Sequence, residues 1–414
     1  MSEEQMAASE TSAPDTSAPD TSLRNVKALG VVSLLTDASS EAVYPILPLF
    51  LSTVLGTPVA TIGIIESIAE ATASLTKVVS GRLSDRLGRR RPLILLGYGL
   101  SNLMKPVLAL AGSWPAVLAL RFADRFGKGI RTAPRDALIA DSAPPEARGK
   151  AFGMHRALDT LGAAIGPLVA WVVLSQVKGA EGFRLVFLIS AIPGIAAIVV
   201  LLLAVRERRP RSAASEGAPP FRLRHLGVPF GVFTAISAVF ALGNSSDAML
   251  ILRAKDLGAP TALVPLMYFA FNLVGALVAT PAGVRSDRVG RKRVLTVGFA
   301  LYGVVYAGFA LASNAWAPWL LFAAYGVPYA LTEGMTRAYV VDLVGCENRG
   351  TAVGGFTFVL GLAALPSSAL AGVLWDTVSH SAPFYLSAAL MLLAAGALAV
   401  SGRFLKPPVA VPLG

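Results

Sequence analysis

Residues 81–93 read GRLSDRLGRRRPL, and residues 283–295 read GVRSDRVGRKRVL. The two stretches share an Asp-Arg pair, flanking glycines and a basic run in the same order. A second pair of blocks follows at a matching offset: ADSAPPEARGKAFG (140–153) against VDLVGCENRGTAVG (341–354). SSEA (39–42) is echoed by SSDA (245–248). Each block holds the same place relative to the apolar stretches beside it. The chain is therefore two copies of one design, running in the same direction through the same solvent.

That solvent is lipid. The chain is 54% hydrophobic and only 15% charged, with a mean hydropathy of +0.63, whereas a soluble domain is about 25% charged. Apolar stretches of about 20 residues, the length of a spanning helix, recur along nearly the whole chain. Twelve are expected, centred near residues 40, 69, 102, 125, 163, 194, 239, 271, 303, 329, 362 and 393. The fold expected is an all-α membrane protein with twelve transmembrane helices in two six-helix bundles.

The boundaries follow from composition. Residues 1–22 carry five acids, no base and no apolar run, and read as a disordered cytoplasmic tail, not a signal peptide. Residues 23–205 form the first bundle and 226–405 the second. Residues 206–225, rich in Arg, Ser, Gly and Pro, form a cytoplasmic linker. Residues 406–414 form a second cytoplasmic tail. Cys346 is the one cysteine, so no intramolecular disulfide is possible; it falls in an expected cytoplasmic loop.

The net charge of +11 is not spread evenly. Arginines crowd into alternate loops at 81–91, 206–212 and 284–293, while STVLGTPVAT and ASNAWAP carry no charge. This is the positive-inside bias, which places both termini in the cytoplasm. The basic residues read as topology signals, so no nucleic-acid partner is expected.

The 81–93 stretch resembles the signature loop between helices 2 and 3 of the major facilitator superfamily. Gly81, Leu83, Ser84, Asp85, Arg86, Gly88, Arg89 and Arg90 carry the resemblance, and Gly283, Asp287, Arg288, Gly290, Arg291 and Lys292 form its partial copy. The likeness extends over roughly residues 23 to 405. It implies a gating loop in which Asp85 makes a contact toward helix 11 that holds the cytoplasmic side closed; the alternative reading of the same loop is a topology determinant only. Independently of the family, Gly88 suits a very tight turn, and Asp85 can cap a helix or pair with an arginine.

Charge inside the membrane points to the site. Asp37, Glu41, Glu66, Glu70, Lys77, Arg121, Asp124, Arg125 and Asp159 all fall within apolar spans of the first half. Each costs about 2.5–3.5 kcal/mol at the bilayer centre, so they must face one another or a wet cavity. Asp37 and Glu41 share one helix face at i, i+4. Glu66, Glu70, Ser74, Lys77 and Gly81 form a polar stripe on helix 2, which the Asp37–Glu41 face is expected to meet. Helix rise places Asp37 near the midplane, with Glu41 and Glu66 at a similar outer level. Arg121 and Asp124, at i, i+3, can neutralise each other.

Two further elements carry family meaning. Arg125 with Gly129 is similar to an R-x-x-x-G element whose midplane arginine is associated with proton handling. Gly162, Gly166 and Pro167 resemble part of an element found in exporters that exchange substrate for protons, although Val169 and Ala170 replace its later glycines. Close helix packing plus a bend at Pro167 accounts equally for the same residues. Pro45 and Pro48 are expected to bend or loosen the outer part of helix 1.

The function expected is a proton-coupled secondary transporter working by alternating access and exporting a small organic molecule, a drug or metabolite. Asp37, with Glu41 or Glu66, is the preferred coupling site, since a carboxylate away from water can hold a proton near neutral pH. A proton symporter importing a nutrient or metal complex is the alternative, and a non-transporting receptor is the alternative of another class. No enzyme is expected: phosphate-binding loops are absent, no nucleophile–base arrangement stands out, and His155, His225 and His380 are too scattered for a metal site. The partners expected are membrane lipid, a small-molecule substrate and protons, with no cofactor. The resemblance adds a monomer in the bacterial inner membrane.

Overall fold

Hydrocarbon offers no partner for a free N–H or C=O, so a chain this apolar must satisfy its backbone within helices. The computed structural model describes residues 19–144, 147–207, 226–344 and 349–405, and among these residues it is helical with no strand. Residues 1–18, most of the linker, Cys346 and the 406–414 tail lie outside the described residues. In the first half the spans are α1 (Pro19–Val43, then Leu47–Leu49 and a π-helical turn at Phe50–Val54), α2 (Val59–Leu87), α3 (Arg91–Val107), α4 (Trp114–Ser142), α5 (Arg148–Gln176) and α6 (Gly179–Ile189 with Ala191–Ala204). In the second half they are α7 (Gly227–Gly243 with Asp247–Asp256), α8 (Val264–Val289), α9 (Arg291–Leu311), α10 (Ala317–Asp342), α11 (Arg349–Thr377) and α12 (Ala382–Val400). Helix α1 starts four residues inside the stretch expected to be tail.

Local chemistry sets the ends and breaks. Pro92, Pro115, Pro265, Pro318 and Pro383 sit in the first two positions of α3, α4, α8, α10 and α12, where the missing N–H costs nothing. Gly88 closes α2 at φ 60°, its N–H bonded to Ser84 O at 3.1 Å. Pro45 and Pro48 interrupt α1 after Val43, because neither ring can donate into the helical ladder. By contrast, α5 runs unbroken through Pro167. Helix α7 breaks at 244–246, and the Ser246 hydroxyl accepts the Ala248 N–H at 3.3 Å to start its second segment.

Nine of the described helices are long and apolar enough to cross a membrane. The three spans that fall short, α1, α4 and α10, are the ones whose charges, tyrosines and prolines turn inward. Polarity is displaced from lipid to the molecule's interior.

The cores show how the halves meet. At the basic-loop end each half has its own core: Leu29, Ile94, Tyr98 and Leu138 in the first, Phe233, Leu295, Phe299 and Phe356 in the second. At the far end a single core joins both, with Ile46, Phe50 and Phe187 packed in one cluster with Met249, Phe309 and Phe322. There α2 and α11 touch backbone to backbone: a Cβ on Gly63 would lie 2.1 Å from Ser368 O. Asp376 accepts the Ala60 N–H at 2.8 Å across the same seam. Between the separated cores lies a cavity of about 1120 Å³, running from Asp37 and Tyr268 at mid-height to Asp287 and Arg291 at the basic-loop end. The molecule is open on that side and closed on the other.

Candidate functional site

An ion ladder stands beside the cavity, which its last rung, Lys128, lines. Arg121, Asp124, Arg125 and Lys128 follow at three- and four-residue steps, so they share a face of α4. Glu66 and Glu70 lie one turn apart on α2 and meet the two arginines rung for rung. Arg121 donates to Glu66 twice, Nε to Oε1 at 3.3 Å and Nη2 to Oε2 at 3.2 Å. Arg125 Nη1 lies 3.6 Å from Glu70 Oε1. Asp124 sits between, 3.5 Å from Arg121 and 4.0 Å from Arg125, and accepts the Ser101 hydroxyl at 2.5 Å. The Tyr44 ring lies under both guanidinium groups, at 5.4 and 5.8 Å, close enough for cation–π attraction. Asp124 does help neutralise Arg121, but the shorter, two-bonded partner is Glu66.

Asp37 does not join this ladder, contrary to the expectation that its face would meet the α2 stripe. It shares the wall of the large cavity with Asp159 of α5. The reason is packing. A Cβ on Gly162 would lie 2.2 Å from Leu34 O, and one on Gly166 would lie 2.5 Å from Ala42 N; both absences let α1 lie against α5 along their length. That contact delivers Asp159 to Asp37. Asp159 also accepts Arg156 Nη1 at 3.2 Å. Asp37, Glu41 and Asp159 all line the cavity.

One cation escaped the sequence reading. Lys105 of α3 is 3% exposed; its Nζ donates to Asn102 Oδ1 at 2.7 Å and Ser39 Oγ at 3.3 Å. The signal was a lysine inside the apolar run SNLMKPV. It borders a small polar pocket of about 30 Å³ shared with Asp37, Glu41 and Asp124.

The wall in the C-terminal half is aromatic. Asp247, the echo of Glu41, opens the second segment of α7 and accepts Tyr325 Oη at 2.8 Å and Tyr268 Oη at 3.3 Å. Tyr268 packs on Tyr44 of the first half at 5.6 Å between ring centroids. Ser246 reaches across to Tyr44 Oη at 3.4 Å and donates to Glu66 Oε2 at 3.5 Å. These tyrosines lie far apart in sequence, and no local pattern announces them.

The gating-loop residues divide into buried and exposed sets. Arg90 is buried and its Nη1 lies 2.5 Å from Asp141 at the end of α4. Arg291 repeats this arrangement, 2.6 Å from Asp342 at the end of α10. Both aspartates stand in the repeated blocks near 140 and 341, which was the available signal. The linker's first residues add a cap: Glu207 accepts the N–H groups of Arg90 and Arg91 at 3.0 and 2.9 Å. Arg86, Arg89, Asp287 and Arg288 are exposed. Gly81 packs on Ala133, while a Cβ on Gly88 or Gly290 would meet nothing; those two are needed for their positive φ. Asp85 is 63% exposed and its nearest cation is Arg90 at 3.9 Å.

The arrangement leaves a cavity between the halves with room for a small molecule and carboxylates on its wall. Among the described residues no cluster of His, Cys, Asp and Glu has the geometry to hold a metal ion. The family model of the Major Facilitator Superfamily matches residues 29–252 and again 231–413. An uncharacterized MFS-type transporter of Methanocaldococcus jannaschii is 37% identical over 360 residues, covering 85% of this chain and 88% of that protein. The multidrug resistance protein MdtG of Enterobacter lignolyticus is 25% identical over 290 residues, covering 67% of this chain and 68% of that one. Among solved structures, a bacterial homologue of the human lysosomal transporter Spinster, in an inward-facing, occupied conformation, superposes with a TM-score of 0.73 over 92% of this chain and 96% of that one. At 16% identity this last likeness concerns the fold alone.

Proposed function

The chain belongs to the major facilitator superfamily, and from that premise we propose that it is a proton-coupled secondary transporter exporting a small organic molecule by alternating access. The observation that carries this reading is the pair of acids, Asp37 and Asp159, that the close approach of α1 and α5 sets on one cavity wall. A proton shared by two carboxyls leaves with a large change in local charge, since like charges in contact cannot both ionise cheaply. A substrate entering the cavity and a proton then compete for the same acidic wall, which couples their movements. Similarity to a multidrug resistance protein supports export. The basic loops support a cytoplasmic opening, with the protein in a bacterial inner membrane and both termini cytoplasmic.

We assign the coupling role to Asp37 with Asp159, not with Glu66. Glu66 is bound on two oxygens by Arg121, so its role is to hold α2 to α4, and Asp159 takes its place as Asp37's partner. The test uses proteoliposomes, a ligand panel and pH gradients imposed in each direction. Asp37→Asn and Asp159→Asn should abolish gradient-driven flux while leaving counterflow of labelled ligand intact. Unchanged gradient-driven flux in both variants would overturn the assignment. Flux that runs with the proton, not against it, would make the protein a symporter.

A further inference from the structure

A cleft of about 450 Å³ opens from the α7 break toward α10 and α11, within the size range of drug-like ligand sites. Its charged lining is Glu70, Asp247, Glu333 and Arg337. Glu70 already has Arg125 at 3.6 Å, and Glu333 has Arg337 at 3.6 Å. Asp247 differs: among the described residues no cation lies within 4 Å, and its partners are the phenol hydroxyls of Tyr325 and Tyr268. Lys128 lines the larger cavity but not this cleft.

The wall beside Asp247 is a sheet of rings. Phe240 stacks on Phe299 at 4.1 Å and 12°, Tyr302 stands edge-on to Phe240 at 5.1 Å, and Tyr325 stands edge-on to Tyr302 at 5.3 Å. Two lining hydroxyls, Ser67 and Ser237, are 5% and 1% exposed and have no hydrogen-bond partner among the described residues. Buried polar groups are nearly always paired, so orphaned hydroxyls on a cleft wall point to a ligand that completes them.

We propose that this cleft is the binding site for an organic cation: an amine on a flat apolar ring system, with its ammonium on Asp247 and its rings along Phe240 and Tyr302. The carboxylate supplies charge, the ring faces add cation–π and stacking attraction, and the serines meet polar substituents. An anion would face Asp247 and Glu333, and a neutral ligand would strip water from Asp247 without replacing it. The assignment of this cation as the transported substrate rests on the transport reading above; its binding rests on the cleft alone.

The probes are 2-naphthylmethylammonium and two matched analogues, 2-naphthylmethanol and 2-naphthoate, titrated into the purified full chain by calorimetry. The amine should bind at least about tenfold more tightly than either analogue. Asp247→Asn should lose about tenfold in amine affinity, and Asp247→Glu should retain most of it. If Asp247→Asn fails to fold, Phe240→Ala carries the same test, with an expected loss of about fivefold. Equal binding of alcohol and amine, no amine binding, or unchanged affinity in both Asp247→Asn and Phe240→Ala overturns the proposal. Counterflow of the labelled amine in liposomes separates the two readings. Binding without counterflow leaves the cleft assignment standing and defeats transport; gradient-driven flux of another compound without amine binding defeats the cleft assignment alone.

Discussion

The Glu66 carboxylate and the Arg121 guanidinium form a two-bonded ion pair between α2 and α4, with only 2% and 6% of their side chains exposed. Removing one partner strands the other charge away from water. Glu66→Gln or Arg121→Gln alone should therefore cost about 3–5 kcal/mol. The double variant should recover a large part of that loss, because neither charge remains. Thermal unfolding in detergent, arranged as a double-mutant cycle, measures the coupling; additive losses would show that the two side chains act independently.

The two repeated loop pairs should not be worth the same. Arg90 and Asp141 are 9% and 11% exposed, whereas Arg291 and Asp342 are 33% and 43% exposed. Water and salt screen the second pair. Asp141→Asn is expected to destabilise by about 2–3 kcal/mol and Asp342→Asn by about 0–1 kcal/mol. The measurement is the shift in apparent Tm at two salt concentrations, with Asp342→Asn the more salt-sensitive of the two.

Gly162 makes a sharp steric prediction. A methyl there would sit 2.2 Å from Leu34 O, while a methyl on Gly153, earlier in α5, would meet nothing. Gly162→Ala should cost about 1–3 kcal/mol; Gly153→Ala should leave stability unchanged or raise it by up to about 1 kcal/mol. Because the α1–α5 contact also sets Asp159 beside Asp37, Gly162→Ala should weaken pH-driven flux as well.

The far-end closure can be probed through Asp376, which accepts the Ala60 N–H across the seam between halves. Asp376→Ala should shift the protein toward states open on that side. In a Cys346→Ser background, a Thr57→Cys reporter, buried in this conformation at 5% exposure, should react about threefold faster with an impermeant maleimide once that bond is gone. Equal labelling rates would assign the closure to the α2–α11 backbone contact at Gly63 and Ser368.

Much was legible before any coordinates, and for identifiable reasons. Apolar length reports the spans because lipid forces the backbone into helices. The doubled blocks at 81 and 283 report two parallel halves because each block is tied to its own helix ends. Pro45 and Pro48 announced the break in α1, since proline's effect on a helix is local. The Glu66–Glu70 spacing announced a shared face, since that too is a property of one helix.

Which acid meets which partner was another matter. Asp37 is expected beside Glu66 and Glu70, but α1 packs on α5 and Asp37 shares the cavity wall with Asp159, while Glu66 pairs with Arg121. The Tyr268–Asp247–Tyr325 cluster joins three helices that no periodicity relates. The sequence by itself determined the lipid environment, the helices, their breaks, the repeat and the list of charges that had to be hidden. Only the tertiary structure decided how those charges were matched and which side stood open. Helix formation depends on neighbours three or four residues away, whereas pairing depends on which backbones can approach, and here glycines such as Gly162 and Gly166 set that distance between residues more than a hundred positions apart.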